Sequence, residues 1–166
     1  MKITRTTSLP AGVEEAFDVI ASQEHQEAKV AAQAERSSAA VTRDAGAARI
    51  RTEREIATEG MPTAVASMVG STLTITEDQR WGAADASGAR SADLDIRVAG
   101  VPLQLVGRIR LTPDGDGSSL AVDADLSCSL PFVGKKIEQA ARPTIEESFD
   151  LEVQLLTERL RGGRAR

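Results

Sequence analysis

The side chains able to carry chemistry are few, and their surroundings decide what each can do. The single histidine, His25, stands in the polar stretch Ser22-Gln23-Glu24-His25-Gln26-Glu27, which predicts an exposed imidazole with neither a nucleophile nor an orienting acid beside it. The single cysteine, Cys128, shares strand parity with Leu126 and Leu130, which predicts an inert core thiol. One His and one Cys in separate elements make no zinc or iron site, and no glycine-rich phosphate loop occurs, so no metal and no cofactor is expected. Glu14 and Glu15 fall in a first helical turn, where carboxylates complement the helix dipole. Asp114-Gly115-Asp116-Gly117 resembles the start of a calcium loop, but that loop wants glycine at its sixth position, where Ser119 stands; the segment reads as a hairpin turn.

Arg54 and Glu77 are different. They share parity with Ile50, Ile56, Leu73 and Ile75, so both should point to the apolar side of a sheet, where a charge is costly unless paired, hydrogen-bonded or wetted. Either they pair for structural reasons or escape at a bulge or strand end, or they form the polar anchor of a pocket. In the second case Arg54 faces an acidic head group, and Glu77 orients Arg54 or accepts a hydroxyl.

The elements that position these residues follow from periodicity. Residues 2 to 8 suit a short strand; Leu9-Pro10-Ala11-Gly12 turns the chain into a helix with Val13, Ala16, Phe17 and Ile20 at helical spacing. A second helix, about Gln23 to Ala34, is polar almost all round and is expected on the surface. From Glu35 to Leu130 the period is two, giving an antiparallel meander of six to seven strands in all. Beyond Leu130 a stripe through Ile137, Ala141, Ile145, Phe149, Val153, Leu156 and Leu160 predicts a long C-terminal helix, kinked or divided at Pro143. The basic end, 162–166, reads as a disordered tail, leaving one domain over 1–161.

A wide sheet with one wet face must bury the other, and one helix about 10 Å across cannot cover it evenly, so the sheet is expected to curl and grip the helix. Small residues at Ala140, Ala141 and Gly107 would widen the gap between them. The expected lining is Leu73, Ile75 and Trp81 from one strand, Ile96, Leu103 and Leu105 from the next two, and Ala141, Ile145 and Phe149 from the helix. The segment 58–70, glycine-flanked and holding Met61 and Met68, lacks strand periodicity and reads as a flap over the pocket mouth or as a plain connection. A fully packed core is the alternative to a pocket.

Composition narrows the function. A chain of 166 residues suits one core, and a net charge of −5 with dispersed Arg and Lys excludes a nucleic-acid footprint. Three Phe, one Trp and no Tyr leave no stacking platform for flat cofactors. No apolar run suits a signal peptide or a membrane span, and a lone cysteine fits a reducing compartment, so a cytoplasmic protein without integral membrane association is expected.

The order of strand, two helices, meander and long C-terminal helix resembles the START-like or SRPBCC superfamily, an α+β helix-grip fold also called Bet v 1-like. Within it, Gly60-Met61-Pro62, Met68-Val69-Gly70, Leu73-Thr74-Ile75-Thr76-Glu77 and Trp81 resemble an actinobacterial family known as domain of unknown function 2505. The Ala- and Arg-rich, Lys-poor composition suits a high-GC source. The resemblance implies non-catalytic binding of a lipid or other apolar small molecule. Its alternatives are a polyketide cyclase or aromatase using Glu77, and an interaction module without a ligand, whose partner protein the sequence does not indicate.

Overall fold

Alternating apolar and polar residues from Arg36 onward build one antiparallel sheet in the computed structural model, which describes residues 1–164. The elements are β1 (Lys2–Leu9), α1 (Val13–Ile20), α2 (Gln23–Ala31), β2 (Arg36–Asp44), β3 (Ala47–Ala57), α3 (Thr63–Val69), β4 (Thr72–Trp81), β5 (Arg90–Val98), β6 (Val101–Asp114), β7 (Gly117–Cys128) and α4 (Gly134–Arg164). The seven strands lie in the order β1-β7-β6-β5-β4-β3-β2. Consecutive strands from β2 to β7 pair antiparallel, while α1 and α2 carry the chain from the β1 edge to the β2 edge.

One apolar cluster joins the inward face of the sheet, including Ile50, Leu94, Leu105 and Leu126, to Phe17 and Ile20 of α1 and to Phe149, Leu156 and Leu160 of α4. This is the burial that the α4 stripe requires, because an amphipathic helix is stable only where its apolar side is covered. A smaller cluster of Val65, Leu73, Val101 and Ile137 seats α3 on the sheet.

Turns follow the residues that permit them. Ala45 and Gly46, both with positive φ, make the tight turn between β2 and β3, and Asp114 pairs with Gly117 across the β6–β7 hairpin, as its sequence predicts. At the β2 edge the Gln23 amide donates to the Ala39 carbonyl at 2.6 Å and accepts from the Val41 N–H at 2.9 Å.

The segment 58–70, expected as a flap or a connection, forms α3 and is pinned at its base by the Thr58 hydroxyl donating to the Gly70 carbonyl at 2.6 Å. Other expectations are corrected. α4 runs through Pro143 as one helix and continues to Arg164, so Gly162 and Gly163 are helical; Ala165 and Arg166 lie outside the described residues. α2 is no surface helix: His25, Gln26, Lys29 and Val30 are buried, and α2 packs against β2, β3 and α4. Its polar side chains find partners or cavities inside, which a hydropathy pattern does not register. Gly107 lines neither of the two cavities between sheet and α4. A Cβ there would stand 2.2 Å from the Asp123 carbonyl oxygen and 2.4 Å from the Ala124 Cα, so this glycine admits the close approach of β7.

Between β7 and α4, Phe132 is fully exposed with φ of 66°. A bulky residue in the left-handed region carries strain, and this one gains no burial in return. Phe132→Gly is expected to raise the unfolding free energy by about 0.5 to 1 kcal/mol, after the greater freedom of glycine in the unfolded chain is subtracted. Urea denaturation measures it; an unchanged or lowered midpoint would mean that the ring makes contacts in solution.

Candidate functional site

The inward face of β4 carries Glu77, Gln79 and Trp81 at alternate positions, so their side chains stand in a row. The Trp81 indole N–H donates to Gln79 Oε1 at 2.9 Å, and the Gln79 amide donates to Glu77 Oε1 at 2.5 Å. Lys29 Nζ reaches the same Glu77 oxygen at 3.0 Å and Glu152 of α4 at 3.8 Å. Arg54 donates from Nη2 to Glu77 Oε2 at 3.3 Å and from Nη1 to Gln33, which also accepts from the Ser148 hydroxyl. Arg54 and Glu77 thus point inward and pair, as their parity predicts, and neither escapes to solvent. Lys29, Gln33 and Glu152 complete the cluster, and no motif in the sequence points to them.

Its electrostatics set each protonation state. Burial alone would raise the Glu77 carboxyl, but the Lys29 and Arg54 cations, then the Gln79 hydrogen bond, outweigh it and hold it well below the usual carboxylate range. Burial works against the Lys29 charge, yet Glu152 and Glu77 together keep its pKa above the ordinary lysine value. Burial raises the Glu152 carboxyl, and the nearby Glu77 anion adds to that rise. Glu77 is therefore a locked anion, and Glu152 is the member that takes up a proton more readily.

Two cavities meet at this cluster. The larger, about 480 Å³, lies between β3–β6 and the middle of α4. Its sheet wall contains Leu73, Ile75, Ile96, Leu103 and Leu105; its helix wall contains Ala141, Ile145 and Phe149; Met61 and Val65 stand at one side, with Arg54 and Glu77 at the polar end. The smaller, about 300 Å³, contains Trp81 and His25. Glu77, Phe149 and Glu152 face both.

The expected lining is thus brought together except at two positions. Met68 is exposed and lines neither cavity, because α3 turns Val65 and Val69 toward the sheet. Of these two cavities Trp81 faces the smaller, tilted against Phe17 with ring centroids 5.6 Å apart. His25, expected outside, is buried beside Lys29, and burial, then the Lys29 and Arg159 charges, push its pKa down to about 4. Glu14 does more than complement a helix dipole: Arg90 donates to it from Nε and Nη2, both at 2.9 Å, and covers the Phe17 ring. Among the described residues, no group of three or more His, Cys, Asp and Glu side chains is placed to hold a metal ion, and no helix is long and apolar enough to cross a membrane.

A seven-stranded open antiparallel sheet closed over a long C-terminal helix is the helix-grip fold, and solved structures share it over nearly the whole chain. A STAR-related lipid transfer protein from Xanthomonas axonopodis matches with a TM-score of 0.64 at 15% identity, covering 96% of this chain and 85% of that one. The Zhui aromatase/cyclase from Streptomyces sp. R1128 matches with a TM-score of 0.64 at 12% identity, covering 100% and 96%. A protein from Thermus thermophilus, TTHA0849, matches with a TM-score of 0.64 at 14% identity, covering 98% and 99%. Residues 4–160 match the protein family of unknown function DUF2505, and the chain belongs to that family. No curated protein matches the sequence.

Proposed function

We propose that this protein binds an apolar molecule ending in a carboxylate or carbonyl group, held in the larger cavity without being chemically changed. One observation carries the reading: at the polar end of an apolar cavity, Arg54 Nε is a buried donor without a hydrogen-bond partner. A buried donor left unmet is costly, and an acceptor on the guest removes that cost. The aliphatic walls from Leu73, Ile75, Ile96, Leu103 and Leu105, facing Ala141, Ile145 and Phe149, suit a hydrocarbon body. The volume falls in the range of small-molecule pockets.

Likeness to a lipid transfer protein and to an aromatase/cyclase supports an apolar guest without separating carrier from cyclase. The cyclase reading needs a proton acceptor, and Glu77, neutralised by Lys29 and Arg54, is a weak base at neutral pH. That argues against Glu77 as the base of a cyclase.

Decanoic acid tests the reading by calorimetric titration. Wild type is expected to bind it saturably, and Arg54→Lys to lose roughly tenfold or more in affinity, because lysine keeps a cation near Glu77 but has no Nε–H fork. Equal affinity in wild type and Arg54→Lys, with both folded, would remove Arg54 from the site.

A further inference from the structure

The smaller cavity has a polarity of its own. Its walls are apolar, from Ile20, Leu94, Ile109 and Leu120, with the Trp81 ring beside them. Three polar atoms on residues that line it have no hydrogen-bond partner: Nδ1 of His25 and Oε1 of Gln26, on side chains 3% and 2% exposed, and Nε of Arg5, which faces the Asp150 carboxylate at 3.3 Å. The Gln26 amide nitrogen donates to the Ile20 carbonyl at 2.8 Å, which fixes the amide orientation and leaves the oxygen as the free atom. An amide oxygen only accepts. A neutral imidazole presents an accepting nitrogen when its proton sits on the other one. Lys29 is engaged with Glu77 and Glu152, Gln79 with Glu77 and Trp81, and Arg5 Nη2 donates to Asp150 at 3.3 Å.

The cavity thus offers two acceptors beside one donor already facing a carboxylate, so its occupant must bring a hydrogen-bond donor, whereas the unmet atom of the larger cavity, Arg54 Nε, is itself a donor. A cationic donor meets Lys29 and Arg5 in the cavity wall and Arg159 near His25, while the carboxylates there, Glu77, Asp150 and Glu152, already face those cations. An anion would bring no proton to either acceptor. What remains is a neutral hydroxyl on a small apolar body.

We propose that the smaller cavity is a second ligand site, for a small neutral alcohol or phenol whose hydroxyl donates to His25 Nδ1 or Gln26 Oε1 and whose apolar part packs among Ile20, Leu94, Ile109 and Trp81. It stands independently of the reading of the larger cavity, since neither His25 nor Gln26 lines that one. A site built to receive a hydroxyl discriminates against an isostere without it, because the buried acceptor is then left unmet.

The probes are phenol and toluene, followed by NMR on the wild-type chain. Phenol should bind saturably, with nuclear Overhauser contacts from its ring to the Trp81 indole and a shift of the His25 imidazole nitrogens. The preference for phenol over toluene should fall roughly tenfold in His25→Phe or Gln26→Leu, while decanoic acid binding stays as in wild type. Contacts confined to Met61 and Leu73 of the larger cavity, no saturable binding, or a phenol preference unchanged in both folded variants would overturn the assignment. If neither variant folds, the wild-type contacts decide alone: Trp81 and His25 support the site, and Leu73 refutes it.

Discussion

Replacing Lys29 with methionine is expected to lower the unfolding free energy by about 3 to 5 kcal/mol, the cost of breaking a buried ion pair by removing one partner. Glu77 is 2% exposed, and Lys29 supplies one of its two cations together with a direct hydrogen bond. Without Lys29 the carboxylate keeps only Arg54 and the Gln79 amide, and Glu152 loses its cation as well. Methionine fills similar space, so the loss reports charge and not a cavity. The Glu77 carboxyl should then titrate higher than in wild type, because the larger of the two attractions that lower it is gone. Urea denaturation at neutral pH gives the first quantity and carboxyl carbon NMR the second. A loss below about 1 kcal/mol would mean that the pair is solvated and contributes as a surface pair does.

The second large effect is a pH dependence between about 6.5 and 4. His25 is neutral in the folded chain down to about 4, whereas in the unfolded chain it takes up a proton near its ordinary value of 6.5. Between these values the unfolded state binds more protons, so stability is complete above 6.5 and declines as pH falls toward 4, where both states are protonated. The interval corresponds to about 3 kcal/mol. Glu152, with a raised pKa, acts in the opposite sense above 4.5, and Glu77, with a lowered one, acts in the same sense as His25 but below 4.5. The comparison of wild type with His25→Gln cancels both. The difference in unfolding free energy between the two proteins should change by about 3 kcal/mol from pH 7 to pH 4, in favour of the variant at low pH. A constant difference would place the imidazole in water.

The strands are legible in the sequence because their signal is a two-residue alternation that one buried face imposes, and the α4 stripe because a helix over that face must be apolar toward it. The same alternation puts Arg54 and Glu77 inside. Periodicity fails at α2, whose buried positions His25, Gln26, Lys29 and Val30 form a helical face made mostly of polar residues. The partner of Lys29 stands 48 residues away on β4 and another on α4, so no local pattern announces the pairing. The one trace is the pair of inward charges: a buried Glu77 needs more compensation than a single arginine gives, and α2 supplies it. Gln33 and Glu152 are hidden for the same reason, since their roles depend on which helix faces come to lie over the sheet. Parity turns Trp81 inward correctly, but it gives a face and not a place along it, so the assignment of this ring to the smaller cavity needs the three-dimensional arrangement.

An open sheet ends in strands whose outer backbone groups can recruit a stranger's chain, and β2 is such an end. The Gln23 side chain occupies that position as a one-residue counterfeit strand, offering its N–H to Ala39 and its oxygen to Val41 in the manner of a neighbouring peptide. A second molecule seeking to extend the sheet there must first evict it, and meets the exposed charges of Arg36, Arg43 and Asp44 along the same strand. The amide thereby takes up, at Ala39 and Val41, two backbone groups that an added strand would need.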